Sequence, residues 1–138
     1  MTVRPPSGTP APTVAELGED RLDLAELARA VCDRYHERYP DEHERYGPAG
    51  VDWCRHDNQW LLSWAAGDVL GFADLDEQAS WLARVLHARD FPVDRLTDDL
   101  RIAAEVVEER IPAEHGTALG AALRRAAATV ASLDLAPS

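Results

Sequence analysis

Apolar residues recur at steps of three and four along most of this chain, which is the spacing of one face of an α-helix. The first such run begins at Leu24 and stops before Pro40. The second covers residues 51–66 and ends before Gly71. Residues 41–48 between the two runs are polar and contain a Gly-Pro pair, so we expect a connector with about one helical turn.

Three more helices are predicted in the second half of the chain. Asp74 followed by Glu77 has the spacing of a capping pair that begins a helix, and an apolar stripe continues from there to about Arg89. A fourth stripe covers residues 96–111 and is closed by a proline. The last predicted helix, about residues 113–132, is rich in alanine and carries its leucines on one side.

These patterns predict an all-α fold, a globin-like stack of about five helices, with a four-helix bundle as the alternative. No alternation of apolar and polar residues is long enough to predict a strand. Residues 1–20 contain four of the nine prolines mixed with Ser, Thr and Gly, so they are expected to form a flexible arm. Residues 21–135 are expected to form a single domain, because a chain of 138 residues supplies one core.

The charge balance narrows the choice of partners. Asp and Glu total 25 against 14 Lys and Arg, a formal net charge of -11. Such an excess repels phosphate backbones and anionic lipid, so neither nucleic acid nor a membrane surface is expected as a partner. The chain has no run of about 20 apolar residues and begins without the apolar core of a signal peptide, so a cytoplasmic location is expected. Two cysteines, Cys32 and Cys54, are too few for a disulfide framework, and reduced thiols are expected.

The second predicted helix carries the most informative pattern. With Cys54 at 0° on a helical wheel, Asp57 falls at about 300°. Three tryptophans fall between about 240° and 280° on the same wheel, namely Trp53, Trp60 and Trp64. Asp57 is therefore expected on an apolar face. Burying an ionised carboxylate without partners is costly, so this side chain needs hydrogen-bond donors or must be protonated.

Two sources of donors are open at this point. One is an internal arginine, such as Arg84 or Arg89, which would form a buried ion pair with Asp57 and leave the tryptophans as ordinary core. The other is a bound ligand with several N–H groups held between indole rings. Ligand pockets combine aromatic walls with a few placed polar groups in this way.

Residues 54–57, Cys-Arg-His-Asp, together with the aromatic residues Trp60 and Trp64, resemble the chromophore helix of the phycobiliproteins, which have a globin-like fold. The chain is still more similar to the non-haem globin-like domains that precede cobalamin-binding domains in bacterial signalling proteins. Some of those domains are described as bilin-binding photoglobins. The similarity extends through Trp81 to about Pro112, roughly half the chain.

The resemblance implies a linear tetrapyrrole, such as biliverdin or phycocyanobilin, as the cofactor. It implies that Asp57 accepts hydrogen bonds from pyrrole N–H groups and that Cys54 matches the cysteine that forms a thioether to the bilin. Trp60 and Trp64 would flank the rings, and Arg55 or His56 would meet the propionates. The full set implied for cofactor binding is Cys54, Arg55, His56, Asp57, Trp60 and Trp64.

The resemblance also implies a sensor domain, with photoreception as one role, that signals through a bacterial signalling or cobalamin-binding protein. Two positions depart from the family pattern. Phycobiliproteins have Arg immediately before the aspartate, where this chain has His56. In the related domains a His often stands at the position of Leu61. An output domain is expected on another protein, and homodimerisation through an outer helix face is left open.

Other classes of function have less support in the sequence. A ligand-free helical cap or regulatory interaction module is the alternative, and a haem-binding sensor is third because no histidine stands out as an axial ligand. Cys54 and His56 point in different directions on a helix, so no metal site is expected. The acidic residues of the fourth helix are expected to form its solvated face: Asp94, Asp98, Asp99, Glu105, Glu108 and Glu109. Phosphate-loop and hydrolase motifs are absent, so no catalytic residues and no enzyme activity are expected.

Overall fold

The computed structural model describes residues 10–135, and helices make up most of this part of the chain. The elements in chain order are β1 (Val14–Leu17), β2 (Asp20–Asp23), α1 (Leu24–Arg38), α2 (Asp41–Leu70), α3 (Leu75–Ala88), α4 (Val93–Arg110) and α5 (Ala113–Ala131). The prediction of an all-α stack of five helices is confirmed.

Local sequence determines where two of the helices begin. The Asp23 side chain accepts a hydrogen bond from the Glu26 backbone N–H at 3.1 Å and caps α1. Asp74 accepts from the Glu77 N–H at 3.1 Å and caps α3 in the same way. The capping pair predicted from the sequence is therefore confirmed.

The predicted connector over residues 41–48 is helical in the structure and forms the first part of α2. Gly47 interrupts the helix with φ 61° and ψ -154°, a backbone conformation that is essentially restricted to glycine. Pro48 follows, at a position where the fixed proline φ suits the start of a new helical segment. The segment before the break carries Glu42 and Tyr46, which reach the cavity that lies among α1 to α4.

The hairpin of β1 and β2 corrects two predictions. The strands pair antiparallel, with Leu17 opposite Asp20, although no strand was expected. Residues 14–20 of the predicted flexible arm are part of the fold, because Leu17 is 0% exposed and joins the core. Leu22 supplies the second buried side chain of the hairpin, and an alternation this short does not stand out in the sequence. Residues 1–9 of the predicted arm lie outside the described part of the chain.

The core lies between all five helices. α5 packs along α4 and also contacts α2 and α3, whereas α1 lies against α2 and α4. The largest fully buried side chains are mainly leucines and valines: Leu17, Leu24, Leu61, Leu62, Leu75, Leu100, Leu119, Leu123, Val31, Val106 and Val107, with Cys32. Among residues 10–135, none of the helices has the length and apolar character needed to cross a membrane.

Candidate ligand-binding site

A cavity of about 140 Å³ lies among α1, α2, α3 and α4. Its walls are largely aromatic, from Tyr35, Tyr46, Trp53 and Phe91, with leucines behind them. Arg89 also lines the cavity although it is an exposed residue, so the cavity opens to solvent on that side. Aromatic walls with a few polar groups are typical of small-molecule sites.

The turn between α3 and α4 positions one side of the cavity. Asp90 has φ 60°, a left-handed conformation that aspartate tolerates better than most residues. The Phe91 N–H donates to the Leu86 carbonyl at 3.0 Å and so reverses the chain directly after α3. As a result Phe91 lies against Tyr46 of α2, with 6.1 Å between the ring centroids.

Three polar side chains from two neighbouring helices meet in this cavity. Asp57 and Asn58 come from α2, and Asp99 comes from α4. Asn58 is 2% exposed and Asp99 is 6% exposed. The Asn58 Nδ2 donates to Asp99 Oδ1 at 3.0 Å and to the Cys54 carbonyl at 2.9 Å. The amide therefore ties α2 to α4 in the wall of the cavity.

Both carboxyl groups resist ionisation. Burial raises the pKa of Asp57 well above its usual range, the neighbouring Asp99 raises it further, and Arg89 lowers it. Burial also raises the pKa of Asp99 to about 7, with the Asn58 hydrogen bond acting against the rise and Glu42 adding to it. A ligand that brings N–H donors or positive charge would favour the ionised forms of both groups.

Within residues 10–135, burial, Asp99 and Arg89 are the causes that shift the pKa of Asp57, and no hydrogen bond is among them. Arg84, one of the arginines named as an internal partner, is exposed and does not line the cavity. Arg89 does line the cavity and acts on Asp57 electrostatically, which lowers the pKa of Asp57. Burial outweighs this attraction, so a ligand that brings N–H donors would still favour the ionised carboxylate.

Glu42 differs from Asp57 and Asp99 because a tyrosine and an arginine of the chain donate hydrogen bonds to its carboxylate. The Tyr35 hydroxyl donates to Glu42 Oε2, and Arg95 Nη1 donates to the same oxygen at 2.9 Å. Arg95 also contacts Asp41 Oδ2 at 3.0 Å. Glu42 is thus part of an internal network at the edge of the cavity, which leaves Asp57 and Asp99 as the groups that face its interior.

The structure brings some of the predicted site residues to the cavity and places others elsewhere on α2. Cys54 and Asp57 line the cavity, whereas Arg55, His56, Trp60 and Trp64 do not. Trp60 and Trp64 are partly buried and lie against each other, with ring centroids 5.7 Å apart.

The wheel placed the apolar face of α2 on the arc from the tryptophans to Leu61, with Ala65 at its edge. The structure confirms that Leu61 is buried, but the tryptophans are only partly buried and the centre of the buried face lies towards Ala65. The most buried positions of the helix are centred on Asn58, Leu61 and Ala65, because α2 packs chiefly against α1. Trp53 lies on the tryptophan arc yet still reaches the cavity through the part of α2 that faces Tyr46.

Asp99 corrects another prediction. Asp94, Glu105, Glu108 and Glu109 are exposed as expected for the solvated face of α4, but Asp99 points into the protein. A signal for this was present in the sequence: Asp99 follows Leu96 by three positions and precedes Ala103 by four, which places it on the apolar stripe of the helix.

The two cysteines form a disulfide between α1 and α2, with 6.0 Å between their Cα atoms. The expectation of reduced thiols is therefore wrong for this pair. The count of cysteines excluded a disulfide framework but carried no information about whether Cys32 and Cys54 face each other. A thioether to a cofactor would need the Cys54 sulfur, which is bonded to Cys32 here.

None of the five histidines lines the cavity, so an axial imidazole for haem is not offered there. Within the described residues, no three His, Cys, Asp or Glu side chains are grouped to hold a metal ion.

Comparisons with protein-family models, curated proteins and solved structures give no match for this chain. A functional assignment therefore depends on the chemistry of the cavity and of residues 54–64.

Proposed function

We propose that this chain is a sensor domain that binds a linear tetrapyrrole in the cavity beside α2 and signals through a protein partner. The observation that carries the proposal is Asp57, a carboxyl that lines a cavity with aromatic walls and whose pKa is raised by burial well above its usual range in spite of Arg89. Pyrrole N–H groups are donors of the required kind. Charge-assisted hydrogen bonds from them would offset the cost of burying the Asp57 charge.

The size of the cavity determines how such a pigment would sit. Its volume of about 140 Å³ is close to the ~150 Å³ that holds one benzene ring, so it encloses one or two pyrrole rings at most. The other rings would lie towards the open side, where Arg89 stands. A guanidinium there suits the propionate groups of the pigment. The bound pigment supplies visible-light absorption, while Asp57 and the aromatic walls hold and orient it.

The proposed binding is non-covalent while the Cys32–Cys54 disulfide is intact, because thioether formation needs a free thiol at Cys54. A cytoplasmic location and a signalling or cobalamin-binding partner belong to the same proposal. In that compartment a disulfide is usually transient or redox-sensing rather than structural.

The proposal is tested by coexpressing the chain with enzymes that make biliverdin or phycocyanobilin and recording the visible spectrum of the purified protein. We expect a red-absorbing species. Asp57→Ala should bleach or blue-shift the band, because the carboxylate that accepts the pyrrole N–H groups is lost. Asp52→Ala is the matched control, since Asp52 is an exposed carboxylate on the same helix, and it should keep the band. A colourless protein with both pigments contradicts the proposal and favours a ligand-free interaction module.

A further inference from the structure

The Cys32–Cys54 disulfide forms part of the wall of the proposed binding cavity. Cys54 lines the cavity and is partly buried, whereas Cys32 lies behind it at 1% exposure. The bond ties α1 to α2 across 22 residues of sequence. A change in its redox state therefore alters both the wall of the cavity and the connection between two of its helices.

Asn58 connects the disulfide to the carboxyl groups. Its Nδ2 lies 3.5 Å from Cys54 Sγ and 3.6 Å from Cys32 Sγ, and it donates to Asp99 Oδ1 at 3.0 Å. Its Oδ1 is buried and has no hydrogen-bond partner among the described residues. A disulfide has no S–H group, so it cannot donate to this oxygen, whereas a thiol can.

Reduction changes what Asn58 can bond to. Each new thiol carries an S–H that can donate to the buried Oδ1 once the amide turns about its Cβ–Cγ bond. That rotation carries Nδ2 away from both the Cys54 carbonyl and Asp99, so Asp99 loses the donor it has in the oxidised chain. A cavity with a weaker acceptor at Asp99 and without the bond between α1 and α2 is less suited to a ligand rich in N–H groups.

We propose that the Cys32–Cys54 disulfide is a redox control on the cavity: the oxidised chain holds Asn58 on Asp99 and binds the ligand, and reduction by a dithiol weakens that binding. The inference rests on the proposed function, because it concerns the same cavity.

The redox step is a thiol–disulfide exchange. A thiolate of the dithiol attacks Cys54 Sγ, the sulfur on the cavity side, and the S–S bond breaks with Cys32 leaving as a thiolate that takes up a proton. The second thiol of the reductant then attacks the mixed disulfide and releases Cys54, which is protonated in turn. Two electrons pass to the protein, and the reductant ends as its own disulfide.

The test uses the whole chain and biliverdin, titrated by visible absorbance with and without dithiothreitol. We expect the Kd to rise on the order of tenfold on reduction, within the usual range for coupled sites. The double variant Cys32→Ser, Cys54→Ser should bind like the reduced chain and ignore dithiothreitol. Equal affinity of the oxidised and reduced wild-type chains would overturn the inference.

The role of Asn58 is tested separately. Asn58→Ala removes the amide that links the disulfide to Asp99, so its affinity for biliverdin should differ much less between the two redox states than that of the wild type. If this variant does not fold, Asp99→Asn serves instead. The asparagine at position 99 does not ionise, so the rotation of Asn58 should change its strength as a hydrogen-bond acceptor much less. A full redox effect in the variant measured would overturn the link through Asn58.

A chain that binds no biliverdin in either state contradicts the proposed function, and the redox inference is then decided without pigment. Carbon-13 NMR of the Asp99 carboxyl gives its titration midpoint in the oxidised and reduced chains. A higher midpoint after reduction supports the inference, because the Asn58 donor lowers the pKa of Asp99 in the oxidised chain. An unchanged midpoint overturns it.

Discussion

Asp57 and Asp99 are carboxyls in a cavity whose other walls are mainly aromatic and aliphatic. Burial is the largest cause that raises the pKa of both groups. Such groups lower the stability of the folded chain at neutral pH. Proteins retain placements of this kind most often where the group is used in binding or chemistry.

Asp99 gives the stability a defined dependence on pH. Its pKa is about 7 in the folded chain and 3.8 in the reference state, so between these values the folded chain holds a proton that the unfolded chain has lost. Stability therefore falls as pH rises from about 4 to about 7 and is level above that range. The full effect is up to ~4 kcal/mol. Asp57 acts in the same direction.

Asp99→Asn should reduce this dependence, because asparagine keeps an oxygen that accepts from Asn58 but does not ionise. The measurement is urea unfolding at pH 5 and pH 8. We expect the variant to lose less free energy of unfolding than the wild type between the two pH values. Equal losses in the two proteins would show that Asp99 does not titrate in this range.

Some residues of the site could be predicted from the sequence, and others could not. Asp57 was found because it interrupts an apolar pattern on its own helix. Asp99 also lies on an apolar stripe, but the carboxylates around it made a solvated face the simpler interpretation. The pairing of Cys32 with Cys54 depends on the packing of α1 against α2, and no pattern within either helix contains that information.

The close packing of α4 on α5 depends on a glycine at the start of α5. A Cβ added at Gly116 would lie 2.7 Å from the Ile111 carbonyl oxygen and 3.0 Å from that of Val107. These are backbone atoms, so they cannot move aside as a side chain can. Gly120, one turn further along, would instead meet the side chain of Glu108, which is exposed and can turn away.

Gly116→Ala should therefore lower the free energy of unfolding by about 1–3 kcal/mol, the usual cost of overpacking. Gly120→Ala is the matched control on the same helix. The higher helix propensity of alanine should stabilise this variant by up to ~1 kcal/mol. Disturbing the Glu108–Arg124 surface pair should cost ~0–1 kcal/mol. The free energy of unfolding of Gly120→Ala should therefore stay close to that of the wild type. Chemical denaturation of both variants checks this, and a similar loss in the two would contradict the backbone contact.

The helices were predictable because their signals are local and repeated. The apolar stripe of α3 and its Asp74 cap lie within a single stretch of sequence, and the structure confirms both. The hairpin was not predictable, since its strands are four residues long and bury one leucine each. Its stability comes from the helices beneath it rather than from its own pattern.

At the scale of the whole molecule, the hairpin extends the fold to the N-terminal side of the predicted domain boundary. Leu17 and Leu22 cover the core next to α1, and the Gln59 side chain of α2 donates to the Pro12 carbonyl at 2.9 Å. His115 Nδ1 lies 2.6 Å from Asp20 Oδ2 and links the hairpin to α5. The segment before α1 is thus joined to both halves of the helical stack.

Leu17→Ala tests whether the hairpin is part of the cooperative unit. Its side chain is 0% exposed, so truncation should cost about 2–5 kcal/mol of unfolding free energy, as for other buried leucines. Val14→Ala is the control on the same strand: Val14 is 39% exposed, and its truncation should stay within about 0.5 kcal/mol of the wild type. If urea denaturation gave Leu17→Ala the same stability as Val14→Ala, the hairpin would lie outside the cooperative core. The larger loss instead places the start of the domain at or before β1, because a side chain contributes to the global free energy of unfolding when the segment that carries it unfolds with the rest.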